Sequence, residues 1–416
     1  MGLLVALLLV AEPGQGAPPP FRVESIEVRG LWISRELIVR RELPFKEGDV
    51  VTPELWELAV ARLWNMGPFS RVALTLEPPG SGHVVVTVED RFTLNPLFSF
   101  GVGGGAFWVR AGANDINFLG RFIELGVRYE RFGEFNGFQA WVRDPRLFGR
   151  RLDGQLLGEW LFRPRPGYFL LRRATLRGEL YVESNDGRVR VGAYGQGALD
   201  DVSRLEGLAE APAPHGRALY FGASLRVGRV DVVRIRQQGW SLEVWPGLAV
   251  TDDPRFSSYP VFFAQGLHFT TLGERWNLAF RAQVGFSPGA RPQDRFFLGG
   301  LDPGTPPTNA MQSYPSGIRG YEDGFVRTQG YASFNAEVRF VAFDWMWLAI
   351  MPAVFVDAAA AQPERGGAVV PMVSAGGGVR LLSPRLVRTG LRGDLAVPLV
   401  GTKPTVGFSF GVYQFF

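Results

Sequence analysis

Three pieces of one stretch decide how this chain is read: QDRFFLGG (293–300), SGIRGYEDG (316–324) and GYASFNAEVRF (330–340). The last piece alternates cleanly. Phe334, Ala336, Val338 and Phe340 share one face and Ser333, Asn335, Glu337 and Arg339 the other, which is the period of a β-strand. Ahead of it, from about Gly299 to Thr328, runs a connection too long for an ordinary hairpin, so it is expected to be functional or disordered. Arg319 lies within it, between Gly317 and Gly320, with Tyr321 following. A guanidinium stays charged and is costly to bury unless it is paired. The two glycines let the backbone turn tightly beside it, and Tyr321 offers an aromatic anchor.

The same alternation recurs on both sides of this stretch. Trp276, Leu278, Phe280, Ala282, Val284 and Phe286 alternate with Asn277, Ala279, Arg281, Gln283 and Gly285. Leu152, Leu156 and Trp160 alternate with Asp153, Gln155 and Glu159, and Arg388, Arg392 and Asp394 with Leu391, Leu395 and Val397. One apolar and one charged face, repeated from about Thr93 to Phe416, is what a lipid-facing wall around a wet lumen requires. Counting turn-bounded runs gives ~16 strands, an even number as in bacterial outer-membrane barrels, with the long loop between the eleventh and twelfth.

Composition agrees. The chain has 53 glycines, 33 phenylalanines, 11 tryptophans and no cysteine, and its mean hydropathy is close to zero. A helical membrane protein would be more apolar and a disordered chain less aromatic. The longest apolar run beyond the N-terminus, Trp345 to Val356, contains Pro352 and is shorter than the ~18 residues of a spanning helix. Leu3 to Ala11, followed by Pro13, Gly14 and GQGA, resembles the apolar core of a secretory signal, although no Lys or Arg precedes it. Residues 1–20 are therefore expected to be an export segment. The slightly basic balance contains no dense basic run, which argues against nucleic acid as a partner.

Residues 21–92 carry a different pattern, expected to form a small α+β domain. FRVESIEVRG alternates as a strand, with Val23, Ile26 and Val28 available to a core. Ser34 is expected to cap a helix through Arg41 whose Leu37 and Ile38 face the sheet. Thr52 and Pro53 open a second helix that carries Leu55, Leu58, Ala59, Leu63 and Met66 and ends at Gly67-Pro68. Phe69–Glu77 and His83–Asp90 then make two strands. This order, together with EVRG (27–30), KEGD (46–49), LWNMGPF (63–69) and VTVED (86–90), resembles a polypeptide-transport-associated (POTRA) domain.

The second segment also carries a resemblance. IRGY followed by NAEVR is similar to the sixth extracellular loop and twelfth strand of the outer-membrane assembly-factor superfamily, which includes BamA, TamA and related translocators. NDINFLGR (114–121) and DPRLFGR (144–150) look like that family's early strand-and-turn signatures. VFVDAA (354–359) resembles its FxDxG element with Ala359 in place of glycine, and GGGVRLLSP (376–384) and LRGDLAVPL (391–399) its last strands before closure. FSFGVYQFF ends on Phe416, as in the recognition signal of outer-membrane barrels, although Gln414 interrupts the alternation. The fold class so implied is mainly β: a 16-stranded transmembrane β-barrel over residues 93–416, preceded by one small α+β POTRA domain.

The resemblance implies roles for particular residues. Arg319, flanked by Gly317, Gly320 and Tyr321, would fold back into the barrel against Glu337 and Asp357. Gly103, Gly104 and Gly105 would leave the first strand weak. With Leu97–Trp108 pairing against Thr405–Phe416, including Phe410 and Phe416, they would make a seam able to open toward the bilayer. The strand holding Phe69, Val72, Leu74 and Leu76 would bind extended polypeptide at its edge.

No catalytic constellation is present. His83, His215 and His268 lie in different elements, there is no cysteine ligand set, HExxH pair or GxSxG elbow, and GVGGGA (101–106) lacks the Lys-Ser/Thr and helix of a phosphate loop. No cofactor, metal or enzymatic activity is expected. The implied function is an insertion and assembly factor for outer-membrane proteins, located in a bacterial outer membrane with its POTRA domain in the periplasm. Its partners would be unfolded outer-membrane proteins, outer-membrane lipids, and periplasmic chaperones or lipoproteins. Client folding and bilayer thinning, not nucleotide hydrolysis, would drive it. The alternatives are a translocator secreting one dedicated polypeptide, which in that family usually carries two POTRA domains and a plug helix, and a structural or lipid-remodelling barrel.

Overall fold

Strands that show apolar side chains to lipid must pair every backbone group among themselves, and closure is the only arrangement that leaves no edge. The computed structural model describes residues 18–412 apart from 104–105, 134, 166–168, 185–186, 204–211, 234, 301–316, 323, 346, 363–367, 383–389 and 403–405. In it, sixteen strands form a closed barrel. No described helix is long and apolar enough to cross a membrane. The chain divides into two compact units: the N-terminal domain with Ala113–Gly126 and Val142–Arg150, and the remainder of the barrel.

The barrel is apolar outside and polar inside. On the eleventh strand, Trp276–Phe286, the residues Trp276, Val284 and Phe286 are exposed while Asn277, Arg281 and Gln283 are buried. The twelfth, Gly330–Phe340, leaves Phe334 48% exposed and Glu337 only 1%. These two strands pair along their whole length, from Trp276 with Phe340 to Phe286 with Gly330. The thirteenth to sixteenth are Ala349–Gln362, Val370–Leu382, Gly390–Val400 and Gly407–Val412. The long loop thus joins strands eleven and twelve. Its legs form a short ladder, Phe296–Leu298 against Val326–Thr328.

The start of the barrel corrects the expectation of one strand over Leu97–Trp108. The first strand is Leu94–Gly103 and the second is Ala106–Asp115, so no single strand runs from Leu97 to Trp108. The switch was visible in the parity of the aromatics: Phe98 faces out before the glycines and Phe107 after them. The described pairing across the seam is Phe410 with Val102 and Gly411 with Gly101. Gly104, Gly105 and Phe416 lie outside the described residues, as do residues 1–17 and Arg388.

The N-terminal domain is a three-stranded sheet covered by two helices. β1 (Ser25–Arg29) lies parallel to the central β3 (His83–Asp90), and β2 (Phe69–Leu76) pairs antiparallel on the other side. α2 (Pro53–Asn65) starts as expected, Thr52 Oγ1 accepting the Leu55 N–H at 3.4 Å, and buries Trp56, Ala59 and Leu63. The first helix departs from expectation. It spans Glu36–Arg40, its N-cap Arg35 makes no side-chain cap bond, and Leu37 is 65% exposed while Ile38 and Val39 are buried. Ser34 is drawn away because Asp90 already holds this turn: its Oδ2 accepts the backbone N–H groups of Trp32, Ile33 and Ser34 at 2.8, 2.7 and 2.9 Å.

Burial acts to raise the Asp90 pKa, but the bonds from Ser34, Ile33 and Trp32 outweigh it and hold the carboxyl below its usual value. A depressed carboxylate contributes stability that is complete above its unfolded value, about 4, and lost as pH falls through the lower folded one. Asp90→Ala is expected to cost the domain about 1–3 kcal/mol at neutral pH. Its stability should then stop falling as pH drops from 5 to 3, as scored by pulse proteolysis of residues 21–91.

Candidate functional site

The loop between strands eleven and twelve turns inward and places Arg319 among carboxylates on the barrel wall. The Arg319 side chain is 2% exposed. Its Nε and Nη2 donate to the two oxygens of Asp357 at 2.6 and 2.7 Å, and its backbone N–H donates to Asp357 Oδ2 at 3.1 Å. Nη1 donates to Glu337 Oε2 at 2.9 Å and to Asp394 Oδ2 at 3.3 Å. The guanidinium also lies 3.3 Å from the ring centroid of Phe355, which shares the inward face with Asp357. The structure therefore brings together Arg319, Glu337 and Asp357, and adds Asp394 and Phe355.

Strand period explains how these groups meet. Glu337, Asp357 and Asp394 come from strands twelve, thirteen and fifteen, each at a lumen-facing position. Asn335 Nδ2 donates both to Asp357 Oδ1 and to the Gly317 carbonyl at 2.8 Å, which fixes the loop just ahead of the arginine. Gly317 has φ +53°, and a Cβ there would meet Arg281 Nη2. Gly320 has φ +87° and packs on Ala396 of strand fifteen, with Gly407 of strand sixteen against its backbone. Any side chain at either position would push the loop off the wall. Tyr321 completes the anchor: its hydroxyl lies between the Val373 and Val400 carbonyls and accepts the Val373 N–H at 2.9 Å.

The charge balance is informative. Arg339 and Arg380 donate to Glu337, and Arg380 and Arg392 to Asp394. Glu337 and Asp394 thus take arginines from the wall itself, while the guanidinium that forks onto Asp357 comes from the loop. The two-oxygen fork is one that a planar guanidinium fits.

A second anchor at the loop's other end was not legible as a site. Asp294 accepts from Arg173 Nη2 at 2.6 Å, from Arg291 Nε at 2.7 Å and from the hydroxyls of Tyr220 and Tyr259. Asp200 accepts from the same two arginines at 2.7 and 3.0 Å. Here the loop supplies the carboxylate and the wall an arginine, the reverse of the Arg319 arrangement. Asp294 opens the DRFF segment, but nothing in its spacing named partners on Phe169–Glu183, Val189–Ser203, His215–Val233 and Ser258–Leu272.

The remaining candidates are placed as follows. β2 is an edge strand, since the sheet order is β1–β3–β2. Phe69, Val72 and Leu74 are buried in the domain core and Leu76 packs against it, so those side chains are not offered outward; the free backbone edge and Ala73 and Thr75 are. Gly103 ends the first strand and Phe410 pairs with Val102. No group of three or more His, Cys, Asp or Glu that could hold a metal occurs among the described residues.

With this geometry in hand, known proteins become informative. Residues 21–91 match the family model of POTRA, the surface antigen variable number repeat. BamA from Haemophilus ducreyi lacking POTRA domains 1–3 superposes with a TM-score of 0.66 at 16% identity, covering 94% of this chain and 84% of that one. CdiB from Acinetobacter baumannii gives 0.62 at 15% identity, covering 94% and 74%, and CdiB from Escherichia coli 0.61 at 13%, covering 94% and 76%. The chain joins a segment that matches the POTRA model to a closed barrel with the fold of BamA and CdiB. No curated protein matches it in sequence.

Arg319→Ala should leave a folded, heat-modifiable barrel but free the loop to protease, because it strips Asp357 of its guanidinium and breaking a buried pair costs about 3–5 kcal/mol. Asp394→Ala removes a partner shared by Arg380 and Arg392 from inside the wall, and should lower the barrel's unfolding temperature more than Arg319→Ala does. Equal losses in the two variants would contradict this ranking.

Proposed function

We propose that this protein assists the insertion and assembly of other β-barrel proteins in the bacterial outer membrane, with its POTRA domain in the periplasm. The observation that carries the reading is the seam. Strands eleven and twelve put side chains such as Phe280 and Phe334 along their shared ladder, whereas the described residues of the seam between strands sixteen and one set Gly411 opposite Gly101, next to Phe410 and Val102. A strand pair with glycine facing glycine has little side-chain packing to hold it, so it opens at lower free energy and exposes two strand edges to a client.

In this reading the edge of β2 receives an extended client by backbone hydrogen bonds that ignore sequence. The client then adds strands at the opened seam and is released as its own barrel closes, its folding supplying the free energy. The loop anchors hold strands twelve to sixteen in place, so that opening is confined to one side of the junction. The dedicated secretion suggested by the CdiB likeness predicts passage of a chain through the lumen, which requires the loop to leave its anchors.

Cysteines at Val102 and Phe410, paired in register and in a chain without native cysteine, should form a disulfide. In liposomes, insertion of an unfolded barrel client should fall to background in the oxidised protein and return on reduction. Undiminished insertion with the seam locked would sink the proposal. Loss of many surface proteins on depletion is the expected cellular result, and loss of a single secreted polypeptide would transfer the assignment to secretion.

A further inference from the structure

The two turns that belong to the N-terminal unit are repeats of one device. Asp115 Oδ1 accepts the Asn117 N–H at 2.9 Å and Asp144 Oδ1 the Arg146 N–H at 2.8 Å. Each turn then makes a short helical loop, Phe118–Gly120 and Leu147–Gly149, and each ends in glycine and arginine. The middle residue is left-handed in both: Leu119 at φ 56°, ψ 23° and Phe148 at φ 55°, ψ 26°. A bulky side chain in that region costs on the order of 1 kcal/mol or more. Nothing in the fold recovers the cost, since Leu119 is 62% and Phe148 85% exposed.

Equivalent positions of the repeat divide the work. Asn117 Nδ2 donates to Ser34 Oγ at 2.8 Å, and Arg146 forks onto the buried Glu42, so this position holds the POTRA domain. The Arg35 N–H donates to the Gly120 carbonyl at 2.9 Å, which seats the Asp90-held loop on the first turn and leaves its Trp32 68% exposed. At the two left-handed positions the side chains of Leu119 and Phe148 are exposed, although the Leu119 carbonyl accepts the Arg35 Nε–H at 3.2 Å. Beside these three apolar tips stand the exposed Arg35, Arg121 and Arg150. The exposed acid close by, Glu36, is paired with Arg40.

We propose that Leu119, Phe148 and Trp32 enter the periplasmic leaflet at its headgroup level, and that Arg35, Arg121 and Arg150 bind the phosphates of anionic phospholipids there. The occupant follows from continuity. The third strand, which leaves the first turn, carries Leu125 on its outward face, and the fourth, which enters the second, carries Val142; both are exposed as part of the lipid-facing belt. Apolar tips that extend such a belt, with arginines alongside, fit the aromatic and basic border of a bilayer. The inference needs the barrel to lie in a membrane but is independent of what the protein inserts or secretes.

The chain has no cysteine, so single bimane labels at Leu119→Cys and Phe148→Cys report locally, and one at Ala61→Cys, exposed on α2, gives the aqueous reference. The full-length protein is reconstituted in phosphatidylcholine vesicles with and without phosphatidylglycerol, using brominated or unbrominated acyl chains. Labels at 119 and 148 should be quenched about twofold by brominated lipid and shielded from iodide, more so with phosphatidylglycerol, while the Ala61 label behaves oppositely. Arg121→Gln with Arg150→Gln should remove the dependence on phosphatidylglycerol. Iodide access equal to the Ala61 label would overturn the proposal. Shielding without lipid quenching would do the same and indicate a protein contact, and indifference to phosphatidylglycerol would overturn the phosphate assignment.

Discussion

A guanidinium deprived of water needs carboxylate, hydrogen bonds and a surface to lie on, and it holds its position only where all three converge. Arg319 finds them at one place, where Asp357 supplies both oxygens, Glu337 and Asp394 flank it, and Phe355 lies beneath. Because those residues stand on strands twelve, thirteen and fifteen, and Gly320 rests on strand sixteen, one side chain ties the last strands of the barrel together. Asp294 does the equivalent with the opposite charge for strands six, seven, eight and ten. The lumen is thus organised by one loop held at both ends.

That arrangement places the weak junction where it can act. The loop's anchors fall on strands six, seven, eight and ten and on strands twelve to sixteen. Strands two to five carry cross-strand lumen pairs of their own, Arg110 with Glu130 and Gln139 with Glu159. The seam lies between the pinned last strand and this other set, whose turns are the ones that hold the POTRA domain through Asn117 and Arg146.

Much of this was legible because a barrel wall writes its two faces into alternate residues. The alternation of Phe334 and Glu337, and of Leu395 and Asp394, predicted which side chains meet lipid and which meet the lumen, while the partners Glu337 and Asp357 were implied by the family resemblance. Asp394 was visible as a lumen carboxylate but not as a partner of Arg319, since register between distant strands is not a local property. The same limit hid the Asp294 cluster. Ser34 was misread for a related reason: its hydroxyl is a good cap in isolation, but Asp90, more than fifty residues away, takes over the turn.

The sequence by itself determined the elements and their faces, because side-chain period, turn glycines and the cost of an unpaired charge act over a few residues. That the loop's arginine meets acid inside the barrel was implied only by the family resemblance. Tertiary structure alone decided which carboxylates share that arginine and which residues meet across the junction of the first and last strands. Those depend on how sixteen strands close into one ring, a condition that no short stretch of sequence contains.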